Sequence, residues 1–399
     1  MGTKASTSGV TTGLAALLSA AAGLAIGNLY WAQPLLAEIA ADLGATTADC
    51  GLLVTATQVG YAVGVLLVVP LGDVRDRKRM VPAIMAASVA ALAACALAPG
   101  FAVLAAALAL LGLTTVSGQV IVPLSGELAG PAERGRVVGI VSAGITGGIL
   151  AARALSGLAA AAVGWRGVYV AAAIANLAMA LVLYRRLPEL PKREGVPYSE
   201  LIGGVFAAAA RMPAVPRVMA MSGLAFGVAF NLFWNGVTYL LSAEPFSMTP
   251  FQIGLVSLAG VTGAVCSIWV GRFQDAGRGI PATGAFLALC AASMALALPA
   301  RANVAAIVAV AAAYAFAIQG VGVLNQARLL SFSPEMASRL NTAFVVNNFV
   351  CAAAGSALSS ALWGAWGWAG IALGAAAACL LAALVWLCSR RAIRLPGER

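Results

Sequence analysis

Two short runs carry the same pair of chemical groups. Asn28 and Trp31 lie in NLYW, and Asn231 and Trp234 lie in NLFW, 203 positions further on. Residues three apart share a helix face, so each run sets a primary amide beside an indole. An amide donates and accepts hydrogen bonds; an indole adds a flat apolar wall with one donor. Such groups recognise a small organic molecule without making or breaking its bonds. Asn235 and Thr238 extend the second face at i+4 and i+7, while Gln119 and Gln319 place further amides in other apolar runs. The competing reading of every such amide is a hydrogen bond from helix to helix, and Gln58, Asn347 and Asn348 are read that way.

One charge, Arg153, lies deep in an apolar run. Counted from the start of its helix it is about 24 Å along, at about 1.5 Å per residue. A guanidinium there either meets an anionic group, tunes a nearby proton site, snorkels outward, or pairs with Glu38. The candidate solute-binding set is therefore Asn28, Trp31, Gln119, Arg153, Asn231, Trp234, Asn235 and Gln319.

Bond-making chemistry is poorly equipped. The chain has no histidine, which removes histidine metal sites, histidine-based triads and histidine proton relays. The seven cysteines (Cys50, Cys95, Cys266, Cys290, Cys351, Cys379 and Cys388) form no CxxC pair and read as small core thiols. No catalytic residue, metal site or cofactor is expected.

The elements that must hold these groups follow from composition. Of 399 residues, 62% are hydrophobic and 10% charged, where a soluble domain carries about a quarter charged residues. The mean hydropathy is +0.95. The solvent for such a surface is lipid, and about 20 apolar residues cross its hydrocarbon. Twelve candidate spans result: 13–36, 50–71, 81–98, 102–128, 137–163, 166–184, 215–241, 251–270, 280–299, 303–329, 342–362 and 368–388. Lys4 and the small-residue run SAAAGLA imitate a signal peptide, but the apolar run continues past Trp31, so an uncleaved first helix is expected.

The net charge of +10 reads as membrane topology and not as nucleic-acid binding. Arg75, Arg77, Lys78, Arg79, Arg134, Arg136, Arg185, Arg186, Arg272, Arg278 and Arg339 all fall in loops on one side, and Arg166 and Arg301 on the other. Positive loops face the cytoplasm, so both termini are expected there. The proline- and charge-rich stretch 185–214 reads as a cytoplasmic linker with a short interfacial helix. It separates an N-terminal six-helix bundle (13–184) from a C-terminal one (215–389), with cytoplasmic tails at 1–12 and 390–399.

The 203-residue offset also aligns Gly51 with Gly254, Gly60 with Gly263, Pro131 with Pro334, Arg136 with Arg339, and Trp165 with Trp368. Two copies in the same orientation suggest a transporter whose halves rock about a central site.

After the second span the chain reads GDVRDRKRM, with Gly72, Asp76, Arg77 and Arg79. This resembles the signature loop of the major facilitator superfamily. A weaker copy, GRFQDAGR, follows the eighth span, and NLYWAQPLL with GLLVTATQVGYAVG looks like its bacterial drug/proton-antiporter-like branch. The resemblance implies an all-α membrane fold of twelve helices in two six-helix bundles. It further implies a secondary active transporter, with protons as the partner ion, exporting a small, amphipathic solute. Gly72, Asp76, Arg77 and Arg79, with Glu127 nearby, would form a conformational latch stabilising the outward-open state. From Gly139 the fifth span keeps the small residues of the antiporter motif but has Arg153 where that motif has proline. No acidic residue lies near a span centre, so Glu38 is the coupling candidate. A facilitated uniporter or importer is the alternative, and a transporter-like sensor or a membrane enzyme the remoter ones. A monomer is expected.

Overall fold

The computed structural model describes residues 12–46, 49–129, 133–188 and 197–394. Among these residues the chain is helix and turn, with no strand. Among the described residues nine helices are long and apolar enough to cross a membrane. Two of them, Arg134–Arg186 and Ala337–Ser389, are each a pair of spans joined at one glycine, Gly164 (φ 67°) and Gly367 (φ 57°). A side chain resists positive φ, so glycine lets the chain reverse there without a loop. The two glycines are themselves 203 positions apart, and each precedes one of the paired tryptophans. Nine helices, two of them double, give eleven spans; residues 12–43 form the twelfth. They are numbered 1 to 12 in chain order.

Span 1 departs from the expected unbroken run 13–36. Its helix Thr12–Gly27 ends in a turn, followed by a 3-10 turn Gln33–Leu35 and a helix Leu36–Leu43. Pro34 is the cause: it lacks an N–H, and its ring clashes with the carbonyl four residues back, that of Tyr30. Span 7 has Val237 at the matching position, and NLFW stays in the helix Phe230–Ser242. A π-helical stretch, Gly223–Ala229, precedes it. Such wide turns shift the helix register and recur at functional sites.

Each half has its own apolar core. One cluster runs from Val215 to Ile393, and two others draw almost wholly on residues 18–187. The expected linker contains the helix Tyr198–Arg211; residues 189–196 and the tail residues 1–11 and 395–399 lie outside the described residues.

The halves meet along two helix pairs related by the repeat. Span 2 packs on span 11, where the Ser356 hydroxyl donates to the Gly51 carbonyl at 2.8 Å. Span 5 packs on span 8, where a Cβ at Gly254 would lie 2.8 Å from the Arg153 carbonyl. A Cβ at Gly157 would likewise collide with the Pro250 carbonyl. These contacts close the seam on the face opposite the Arg75–Arg79 loop. On the basic face the seam holds a cavity of about 230 Å³, lined from both halves and the linker helix, with Arg77, Arg134, Arg339 and Glu127 among its walls. Leu201 and Val205 of the linker helix line it, and the Tyr198 hydroxyl donates to the Leu67 carbonyl of span 2.

Candidate functional site

The far-face seam ends at Arg153, which is 2% exposed. Its guanidinium carbon lies 4.6 Å from the ring centre of Trp234, 5.0 Å from Tyr30 and 5.4 Å from Phe230. Three spans build this cage: span 1 at its broken segment, span 5, and span 7 just past its π-helical turn. Ring faces carry negative charge density, and a desolvated cation gains about 2 kcal/mol or more from such a contact. That lets a buried charge persist without a carboxylate. No ion pair joins Arg153 to Glu38 or to any other acid among the described residues, and the arginine does not snorkel to the surface. Its Nε and Nη2 have no hydrogen-bond partner.

A narrow pocket of about 10 Å³ adjoins the cage and shares Tyr30 and Phe230 with it. Phe226, Phe349, Ala352, Gln58, Asn231 and Asn348 complete the walls. Three amide oxygens here, of Gln58, Asn231 and Asn348, lack partners. The space holds about one water, so the rings are closed on one another.

The two amide–indole pairs have different surroundings. Asn28 donates to Thr115 Oγ1 at 2.9 Å and exchanges bonds with Asn176 at 3.2 Å, while its Oδ1 accepts from Trp31 Nε1 at 3.0 Å. That network ties spans 1, 4 and 6 together and leaves Asn28 nothing to offer a solute. Asn231 bonds only its own helix, at Gly227 O (3.0 Å), and keeps Oδ1 free; Trp234 Nε1 is free as well. Asn235 turns to span 11 and donates to Ser356 and Ser359. Gln119 bonds the Tyr61 hydroxyl at 3.1 Å and lines the basic-face cavity. Gln319 is half-buried against span 8 at Gly263, away from the cage. The structure thus gathers Arg153, Trp234 and Asn231 at one place, and sets Asn28, Asn235, Gln119 and Gln319 apart from it.

Glu38 sits at the far-face turn between spans 5 and 6, where its Oε1 accepts from the Trp165 backbone N–H at 2.9 Å. Nearby Asp42 pairs with Arg166. In the basic loop, Arg77 donates to the Gly72 carbonyl at 2.5 Å and pairs with Glu127 at 2.8 Å. Asp76 caps the next helix by accepting from Lys78 N at 2.9 Å, and Arg79 lies 3.9 Å from it. All of these bonds lie within the first half.

Tyr30, Phe226, Phe230 and Phe349 escaped the sequence reading, as did the partners Thr115 and Asn176. Tyr30 sits inside NLYW, and Phe226 and Phe230 lie at four-residue steps before Trp234. A search for aromatics on the faces of the duplicated motif would have found these three.

Comparison with known proteins agrees with this architecture. The sequence matches the family described as Major Facilitator Superfamily over residues 15–356. It is 34% identical over 373 residues to the uncharacterized transporter YgaY of Escherichia coli O157:H7, covering 94% of each chain. It is also 34% identical over 357 residues to the probable transporter SCO4007 of Streptomyces coelicolor, covering 89% of this chain and 82% of the other. Among solved structures, a bacterial homologue of the human lysosomal transporter Spinster, inward-facing and occupied, superposes with a TM-score of 0.77 at 13% identity over 97% of this chain and 99% of that one. Twelve spans in duplicated halves, a seam closed at one face, and a match across most of the sequence place the chain in the Major Facilitator Superfamily, as a multi-pass membrane transporter.

Proposed function

We propose that this transporter moves a small organic solute with anionic character across the bacterial inner membrane, by alternating access between its two halves. The observation that carries the reading is Arg153: a buried cation at the seam, with two unpartnered nitrogens and no carboxylate. A charge in the membrane interior is costly and marks a functional site. The closed far face and the cavity on the basic face describe one end of a rocking cycle, open toward the side where both termini are proposed to lie. Arg77, Arg134 and Arg339 around that cavity favour approach of an anion.

Membership in the drug/proton-antiporter-like branch, and with it proton-coupled export, rests on the resemblance of NLYWAQPLL and GLLVTATQVGYAVG. A second reading, facilitated uniport, is favoured by Glu38: its carboxylate is engaged at a turn, and no described acid faces Arg153. Uptake of labelled solutes into proteoliposomes, with and without an imposed pH gradient, tests both. Flux that needs the gradient supports coupling; equal flux without it supports uniport; flux of neither kind overturns the transport reading.

A further inference from the structure

Resting on that reading, we infer that the cage around Arg153 and the slot beside it recognise one class of solute: a monovalent organic anion on a single flat apolar ring, preferably bearing a hydrogen-bond donor at its far end. Three features of the site set the class.

The first is the free edge of the guanidinium. Nε and Nη2 point along the same edge of the planar group and match the two oxygens of one carboxylate or sulfonate. Both are buried without a partner. A bidentate anion would satisfy them together and neutralise the charge.

The second is the charge balance. Three charged side chains are buried among the described residues: Arg77, Arg153 and Arg328. Arg77 pairs with Glu127, and Arg328 bonds the Ile393 carbonyl near the C-terminal end. One cation therefore stands at the central seam. A single negative charge balances it, whereas a dianion would leave one charge uncompensated in a medium that penalises it.

The third is the shape and polarity beyond the guanidinium. Tyr30, Phe226, Phe230 and Phe349 wall a slot of about 10 Å³. The rings of Tyr30, Phe230 and Trp234 lie over the cation. A flat ring that parts them would stack on the same faces. The free oxygens of Gln58, Asn231 and Asn348 line that slot, and an acceptor cluster selects a ligand hydroxyl or amino group.

The test uses full-length protein in proteoliposomes, read by tryptophan fluorescence and by uptake. The probes are benzoate, 4-hydroxybenzoate, benzenesulfonate, the neutral benzamide and the dianion phthalate. Benzenesulfonate stays ionised and does not leak through lipid. The wild-type protein should bind the three monoanions, 4-hydroxybenzoate most tightly, and bind benzamide and phthalate at least tenfold more weakly. Arg153→Gln should lose binding of the monoanions a hundredfold or more, and Arg153→Lys about tenfold, with elution and melting like the wild type. Asn231→Leu should weaken binding of 4-hydroxybenzoate several-fold more than that of benzoate, narrowing the preference between them. Equal affinity for benzamide and benzoate, or Arg153→Gln behaving as wild type, overturns the inference. Uptake of neutral or cationic solutes that is indifferent to Arg153 also overturns it, while leaving the transporter reading intact. Absence of any binding and any uptake overturns both.

Discussion

Arg153 and Ser356 occupy equivalent positions in the two halves, 203 residues apart, and both meet the paired glycines Gly254 and Gly51. Their roles differ. Ser356 fastens span 11 to span 2 through its hydroxyl, whereas Arg153 meets Gly254 through its backbone and sends its side chain into the aromatic cage. Approximate two-fold symmetry builds the seam, and one substitution within it makes the site.

A charge placed there for function has a stability cost. A buried cation with no carboxylate beside it bears a desolvation cost that an apolar side chain of similar length does not. Arg153→Met should therefore hold or raise the melting temperature in detergent, and abolish transport. A lowered melting temperature together with retained transport would assign Arg153 a purely structural job.

The duplicated asparagines should separate in their effects. Asn28→Ala takes the partner from Asn176 Oδ1 and from the Trp31 N–H in a buried site, at about 1–3 kcal/mol for each unsatisfied group. Thermal stability should fall clearly. Asn231→Ala removes one bond to Gly227 within its own helix and should change stability little while raising the KM for solute several-fold. Melting curves and uptake kinetics on both variants decide it; a reversed pattern would move the solute site to span 1.

The far-face closure depends on backbone approach. At Gly157 the opposing group is the Pro250 carbonyl, which cannot swing aside as a side chain can. Gly157→Val should wedge spans 5 and 8 apart and populate the state open to the far face. Cys50, fully buried at the end of span 2 where span 11 and Tyr239 pack, should then react faster with a membrane-impermeant thiol reagent added from that side. An unchanged labelling rate would mean that the seam closes without this contact.

Much of the fold was legible because lipid imposes a simple rule. The spans follow from apolar length, since about 20 residues must cross the hydrocarbon. The repeat offset aligned Gly51 with Gly254 and, unnoticed, Arg153 with Ser356. The site was legible only in part. Arg153 stood out because a charge in an apolar run is rare, but its partners come from spans 1 and 7, and no spacing rule ranks neighbours that distant. Asn28 and Asn231 look the same in sequence. They differ because Pro34 breaks span 1 and because Thr115 and Asn176 wait beside Asn28. A helical wheel registers neither.

The basic loop offers the last test, because Asp76 has a local duty and a proposed distant one. Locally it caps the helix that begins at Arg77. Asparagine caps as well as aspartate, so Asp76→Asn keeps the helix start while removing the charge. In the present state, with the basic-face cavity open, its described bonds reach only Lys78 and Arg79. A latch acts when that face closes, and a missing charge would then destabilise the closed state. Asp76→Asn should accordingly leave membrane insertion and melting temperature unchanged while slowing transport several-fold. Asp76→Ala should do the same with an added stability loss of about 1 kcal/mol from the cap. If Asp76→Asn transports at the wild-type rate and only Asp76→Ala is impaired, the residue is a cap and nothing more, and the gate must close through other groups such as Arg134 and Arg339.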